Sequence, residues 1–334
     1  MSIIESIEPM IDPFNRTIDY MRISITDRCN LRCVYCMPRR TRSLPEAELL
    51  SYEEILRVCT EAAALGIRFI KITGGEPLLR EGVPDLVRRL KTTAGITKVS
   101  LTTNGVLLSR YLDALCAAGI DGITISLDSL DEERFRLTTG YQRLDRIIRG
   151  IHESLSRPVT VKINAVLIDT GGEPEWRGLA ELARTLPLDV RFIELMPIGY
   201  GRTFKGVAHD RILQGLHETY AGLTQDRASQ GAGPAVYYRI PGFKGSIGFI
   251  SALSHGFCRT CNRIRLTPEG MLKPCLCYAS GIDLKAILRG PDKTNEAISR
   301  ALMEAAAMKP LSHCFTGTIP QGALEQRVMA AIGG

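Results

Sequence analysis

The chain has no run of about 18 consecutive apolar residues, and its opening MSIIESIEPMIDPFNRT is interrupted by Glu5, Glu8 and Asp12. The first absence excludes an ordinary membrane-spanning helix and the second a secretory leader, so a soluble cytoplasmic protein without a membrane partner is expected. There is no arginine-rich arm, no recognisable nucleic-acid-reading module and no internal repeat. The net charge of +6 is scattered along the chain, which argues against nucleic acid and suits a polyphosphate ligand better. Disorder is excluded as well, because 45% of the 334 residues are hydrophobic and 23% charged. That size holds one large domain and a smaller one.

Cysteine, by contrast, is plentiful, with ten residues. In a reducing compartment structural disulfides explain them poorly. Six fall in two short-range groups, Cys29-x3-Cys33-x2-Cys36 and Cys258-x2-Cys261-x13-Cys275. Cys59 and Cys116 sit in apolar helical patterns and read as buried small hydrophobes. Cys277, two residues beyond Cys275, competes for the same metal, and Cys314 is left over.

From Tyr20 the chain alternates β-rich runs at 20–25, 67–72, 96–101, 123–127, 159–166 and 188–195 with helical patterns, among them 52–65, 83–91, 109–118 and 175–186. Six strand–helix units with short links predict parallel strands and right-handed crossovers. Polar residues collect where the strands end: Thr73 to Glu76, Thr102 to Asn104, Ser126, Asp128, Asn164 and Glu194 with Met196. In a barrel these ends share one face. The fold expected is therefore α/β, a partial (β/α)6 TIM-type barrel over 20–198 after an N-terminal extension, 1–19. Residues 199–334 lose the rhythm and are expected to form an α+β region covering the barrel mouth, with short β runs at 235–240 and 246–250 and an Ala-rich helix at 295–308.

Each triplet can ligate three irons of a [4Fe–4S] cubane and leave the fourth open. The amino and carboxylate groups of S-adenosylmethionine suit that open iron. Zinc is the competing occupant, with His255 or another cysteine as fourth ligand. The order Cys29-Asn-Leu-Arg-Cys33-Val-Tyr35-Cys36 and the segment Thr73-Gly74-Gly75-Glu76-Pro77 together resemble the radical S-adenosylmethionine superfamily. The resemblance implies that Gly74, Gly75 and Glu76 serve the methionine amino group and that Tyr35 lies over the cluster or offers its backbone to the adenine. Ser126 and Met196 match contacts to S-adenosylmethionine. Read alone, Ser126 caps a turn and Met196 fills core.

The second triplet, followed by Asn262-Arg263-Ile264-Arg265, is similar over nearly the whole chain to one family in that superfamily, the GTP 3',8-cyclases of molybdenum cofactor biosynthesis. The resemblance implies a second [4Fe–4S] cluster on Cys258, Cys261 and Cys275 that anchors guanine. Arg263 and Arg265 alternate with Ile264, so both face one side, and they are taken as catalytic and substrate-binding groups. Arg22, Lys71 and Lys162 are cations in otherwise apolar strands, where burial demands a counter-charge. By resemblance they contact the triphosphate, with Thr102 adding a hydroxyl. Lys71 stands where the family pattern has arginine, which keeps the charge but loses the bidentate fork. The terminal Gly333-Gly334 resembles a tail that enters the active site.

The implied reaction is removal of H3' from GTP by a 5'-deoxyadenosyl radical, attack of C3' on C8, and reduction to (8S)-3',8-cyclo-7,8-dihydroguanosine 5'-triphosphate. Implied partners are cyclic pyranopterin monophosphate synthase downstream and a flavodoxin or ferredoxin as electron donor; a homodimer is expected only as a common state, not from any residue. A radical peptide-modifying enzyme with an auxiliary cluster would also use two triplets, but leaves the strand cations without a polyanion. A zinc-stabilised nucleic-acid module leaves the TGGEP segment without a purpose.

Overall fold

The computed structural model describes residues 9–37, 41–170, 175–226, 231–315 and 323–333. Strands β1 (Tyr20–Ser24), β2 (Phe69–Thr73), β3 (Lys98–Thr103), β4 (Gly122–Ser126), β5 (Thr160–Ala165) and β6 (Asp189–Ile193) alternate with helices α1 (Tyr52–Ala64), α2 (Val83–Thr92), α3 (Leu108–Ala117), α4 (Glu132–Thr139), α5 (Leu144–Leu155) and α6 (Trp176–Thr185). These six strands pair in sequence order and in parallel.

Period-2 patterning decides which face of each strand meets the helices. Met21, Ile23, Ile70, Ile72, Val99, Leu101, Ile123, Ile125, Ile163, Val190 and Phe192 are all fully or almost fully buried and form the core with the helix layer. Burying each such side chain contributes about 1.5–3 kcal/mol. The alternate positions, facing the barrel interior, are Arg22, Lys71, Ser100, Thr102, Thr124, Lys162, Asn164 and Arg191. An interior lined this way is a site rather than a packed core. Helix α1 shows the matching helical logic. Ser51 and Glu54 close a reciprocal capping box, and Ile55, Leu56, Val58, Cys59, Ala62 and Ala63 bury one face.

The chain continues through α7 (His209–Thr219), β7 (Thr224–Asp226), β8 (Val236–Arg239), β9 (Ile247–Ile250), β10 (Arg263–Leu266), β11 (Met271–Lys273), β12 (Ile282–Asp283), α8 (Leu284–Arg289), α9 (Asn295–Ala307) and α10 (Met329–Ile332). This region makes no sheet of its own. Strand β9 joins β6 in parallel at one edge and β10 joins β1 in parallel at the other, giving the order β12-β11-β10-β1-β2-β3-β4-β5-β6-β9-β8-β7. The sheet is mostly parallel and does not close. Residues 251–262 run from β9, flanking the six strands on one side, to β10, flanking them on the other. The strand–helix rhythm fails here because that crossing is made by a loop.

Candidate active site

Both cysteine triplets line one cavity of about 310 Å3 at the carboxyl ends of the strands. The first occupies the loop after β1, and Cys258 and Cys261 occupy the loop that spans the gap, with Cys275 after β11. Two glycines bring the first loop into place. A Cβ on Gly75 would stand 2.4 Å from the Arg28 carbonyl oxygen, and one on Gly74 would stand 2.6 Å from that of Thr26. Their absence lets Gly75 and Glu76 donate backbone N–H groups to Thr26 and Arg28 at 2.7 Å.

Glu76 itself lies behind the cavity wall. It is fully buried and accepts from the Leu78 and Asn104 backbone N–H groups and from Thr103 Oγ1 at 2.7–3.0 Å. Burial outweighs these bonds and raises its pKa to about 7. Its place in the site is to tie the loop after β2 to that after β3, rather than to line the cavity. Tyr35 donates its hydroxyl to Asp128 at 2.7 Å, while burial lifts the Asp128 pKa to about 6. Gly74, Gly75, Ser126 and Met196 all line the cavity.

The cations form a row. Arg265 on β10, Arg22 on β1 and Lys71 on β2 are direct register partners on adjacent strands, at one level and on one face. Arg263, one pair further back on β10, also lines the cavity, so the Arg-Ile-Arg strand lies inside the sheet and is not a solvated edge. Desolvation lowers the proton affinity of Arg22, Lys71 and Arg265, and their mutual repulsion lowers it further. Arginine does not shed its proton, so Arg22 and Arg265 keep their charge inside the cavity. Thr102 lines the same wall.

Lys162 departs from expectation. Its ammonium lies 3.0 Å from Asp189 and 2.9 Å from the Tyr237 hydroxyl, and it does not line the cavity. Its register partner across β5 and β6 is Asp189, at the amino end of β6, so a carboxylate from the fold supplies the counter-charge. The cavity-lining cation on that side is Arg191, held by Asn164 Oδ1 at 2.9 Å and Thr124 Oγ1 at 3.1 Å. The signal that pointed to Lys162, a charge inside an apolar strand, is present at Arg191 too.

The second triplet carries its own donors. His313 N–H reaches Cys258 Sγ at 3.4 Å. Lys309, buried at the end of α9, sits 3.7 Å from Cys261 Sγ and is held by the carbonyls of Arg263 and Pro274 at 2.7 and 3.2 Å. Arg263 reaches the same sulfur at 3.8 Å. Burial alone would raise the Cys261 pKa, but these two cations bring it down to about 6. Lys309 carried no sequence signal beyond ending an Ala-rich helix. Cys277 faces Cys314, with 3.3 Å between sulfurs.

The tail arrives on a buried ion pair. Glu325 meets Lys273 at 2.6 Å with both side chains out of solvent, and Arg327 at 3.0 Å. The two partners hold the Glu325 carboxyl down to about 2 against the opposing effect of burial. Beyond α10, Gly333 accepts from Arg265 at 2.9 Å. Its φ of +75° is a left-handed conformation, and a Cβ there would lie 2.7 Å from Ser24 Cβ. Gly334 lies outside the described residues.

Residues 23–183 match the Radical SAM superfamily and residues 188–315 match Molybdenum Cofactor Synthesis C. The superfamily implies a [4Fe–4S] cluster and S-adenosylmethionine, and the first triplet fits. Leu31 N–H and the Asn104 amide donate to Cys29 Sγ at 3.4 and 3.7 Å, as donors around a cluster thiolate do. Among the described residues no three His, Cys, Asp or Glu side chains converge on a single-ion site. A cubane spreads its thiolates over separate irons and needs no such convergence. Among solved structures, Streptococcus suis SuiB bound to S-adenosylmethionine shares the fold, with TM-score 0.61 and 17% identity over 89% of this chain and 68% of that one. SuiB bound to precursor peptide SuiA gives TM-score 0.62 and 16% identity over 89% and 67%. Curated relatives named GTP 3',8-cyclase include one from Clostridium perfringens strain SM101, 42% identical over 97% of this chain and 100% of its own length, and one from Heliobacterium modesticaldum, 44% identical over the same shares. A full-length match of this kind, with both domain families in tandem around a cavity that unites the two triplets, makes the chain a member of the GTP 3',8-cyclase family within the radical SAM superfamily.

Proposed function

We propose that the protein converts GTP to (8S)-3',8-cyclo-7,8-dihydroguanosine 5'-triphosphate, the first step of molybdopterin biosynthesis. One observation carries this reading: the cation row Arg265, Arg22 and Lys71 lies in the cavity whose walls hold both cysteine triplets. The cluster on Cys29, Cys33 and Cys36 supplies, when bound, the electron that cleaves S-adenosylmethionine. Gly74, Gly75, Ser126, Met196 and Tyr35 receive that molecule, and Glu76 fixes the loop. Cys258, Cys261 and Cys275 hold a second [4Fe–4S] cluster, with Lys309 and Arg263 favouring the Cys261 thiolate. Arg22, Lys71, Arg191 and Arg265 take the triphosphate, with Thr102 as hydroxyl donor. Such fixed charges orient the ribose before reaction and cost no reorganisation during it. Gly333, whose carbonyl accepts from Arg265, brings the end of the chain to the cation row.

A flavodoxin or ferredoxin serves as reductant, cyclic pyranopterin monophosphate synthase takes the product, and the enzyme works in the cytoplasm. The test is anaerobic incubation of the reconstituted protein with dithionite, S-adenosylmethionine and each ribonucleoside triphosphate in turn. GTP alone is expected to stimulate 5'-deoxyadenosine and to yield an isomer of GTP with the same mass and a new retention time, because the hydrogen atom lost from C3' is balanced by the electron and proton gained on reduction. Deoxyadenosine formation indifferent to GTP, from protein shown to hold its iron, would redirect the search to another substrate.

A further inference from the structure

Cys277 and Cys314 take no part in the proposed reaction, yet their sulfurs stand 3.3 Å apart although 37 residues separate them in the chain. Cys277 follows β11 and is buried, while Cys314 follows α9 and is half-buried. The backbone on both sides is fixed. The Cys314 N–H donates to Cys277 Sγ at 3.4 Å. Glu325 N–H donates to the Cys277 carbonyl at 2.8 Å, and the Tyr278 hydroxyl donates to the Ser312 carbonyl at 3.2 Å. Closing a disulfide from here needs the sulfurs to approach by little more than an ångström, because the bond is about 2.05 Å long.

We propose that Cys277 and Cys314 form a reversible dithiol–disulfide couple, a thiol-modification site beside the second cysteine triplet, oxidised by low-molecular-weight disulfides of the glutathione type. Cys314, the more exposed thiol, attacks one sulfur of the oxidant. The oxidant's S–S bond breaks, and the first glutathione leaves with the proton that Cys314 gave up. Cys277 then attacks Cys314 Sγ in the mixed disulfide, losing its proton to the second glutathione as that leaves. Two protein thiols and one glutathione disulfide become one protein disulfide and two glutathiones, with two electrons passing from protein to oxidant. The new bond links the loop carrying Cys275 to the segment whose His313 N–H reaches Cys258, so it cross-links two walls of the second site. It also withdraws Cys277 from competition for the metal bound at Cys275.

The reconstituted full-length protein, kept anaerobic so that its iron is retained, is equilibrated in buffers of rising glutathione disulfide to glutathione ratio. Free thiols are then alkylated and the protein is digested without reductant. A Cys277–Cys314 cross-linked peptide that grows with the ratio and vanishes with dithiothreitol is expected. Cys314→Ser is expected to abolish the cross-link at unchanged iron content. Alkylation of both cysteines at the highest ratio, a product that stops at glutathionylated Cys314, or pairing of Cys277 with Cys275 would each overturn the couple. Loss of iron in Cys314→Ser would do so too, by making Cys314 part of the cluster site. None of these readouts depends on turnover of GTP.

Discussion

Around Cys33 and Cys36 the ionisable neighbours are the other cysteines of the triplet and the Asp128 carboxyl. Around Cys261 they are the Arg263 guanidinium and the Lys309 ammonium. The nearby Arg32 guanidinium is turned to the carbonyls of Cys29 and Leu31. Burial therefore pushes the Cys33 thiol well up and Cys36 to about 12, and negative neighbours add to the rise. Cys261 is brought down to about 6 although it too is buried. Cys33 and Cys261, one thiol from each triplet, are thus set in opposite fields. A thiolate cluster in the first wall keeps its negative field, which complements the sulfonium cation of S-adenosylmethionine. At Cys261 two cations favour the thiolate, and one of them, Arg263, lies on the same strand as Arg265 of the cation row.

The largest effects expected come from deleting one ligand on each side. Cys33→Ala should abolish 5'-deoxyadenosine formation altogether. Cys275→Ala should keep slow deoxyadenosine formation, lose the cyclised nucleotide and halve the iron content. Iron analysis with product quantification reads both. Equal loss of deoxyadenosine in the two variants would erase the functional distinction between the triplets.

A smaller effect lies on the row between them. In the ligand-free cavity, burial and the neighbouring arginines hold the Lys71 pKa well below 10.5. The unfolded chain then binds more protons than the folded one between the lowered value and 10.5, so stability rises with pH through that window. Triphosphate reverses the shift by supplying counter-charge. Binding of GTP at pH above the lowered value should therefore take up a proton, seen in calorimetry as a binding heat that changes with the buffer's ionisation heat. Lys71→Arg should bind without this uptake, because arginine stays charged. The same proton uptake in Lys71→Arg would assign it to another group.

Local pattern made much of this site legible. The triplet spacings, the six strand–helix units and the cations of β1 and β2 are visible because each is a short-range departure from an otherwise apolar rhythm. The counter-charge of Lys162 was not, since Asp189 meets it only through the register of β5 with β6. Long-range pairing also hid the roles of β9 and β10, whose four residues each carry too little periodicity to reveal that they extend the sheet at both edges. Glu76 looked like a ligand group because it stands beside two cavity glycines. Two of its three internal hydrogen bonds, from Thr103 and Asn104, depend on where β3 ends. Arg191 is different: it is a cation inside the apolar strand β6 and carries the same local signal as Lys71 on β2.

The finest test of the contrast is thiol reactivity in the metal-free protein, because only the thiolate alkylates readily. Cys261 should react with iodoacetamide with a midpoint near pH 6, while Cys33 and Cys36 stay protonated through pH 8. The sign follows from the cause: a cation beside a thiol favours the charged form, and a carboxylate beside it disfavours that form. Lys309→Met removes one of the two cations but keeps a long apolar side chain in the buried slot, so the Cys261 midpoint should rise while those of the first triplet do not move. Residue-resolved mass spectrometry across pH separates the sites. An unshifted Cys261 midpoint would leave Arg263 as the sole source of the field, and Lys309 would then be a brace for the carbonyls of Arg263 and Pro274.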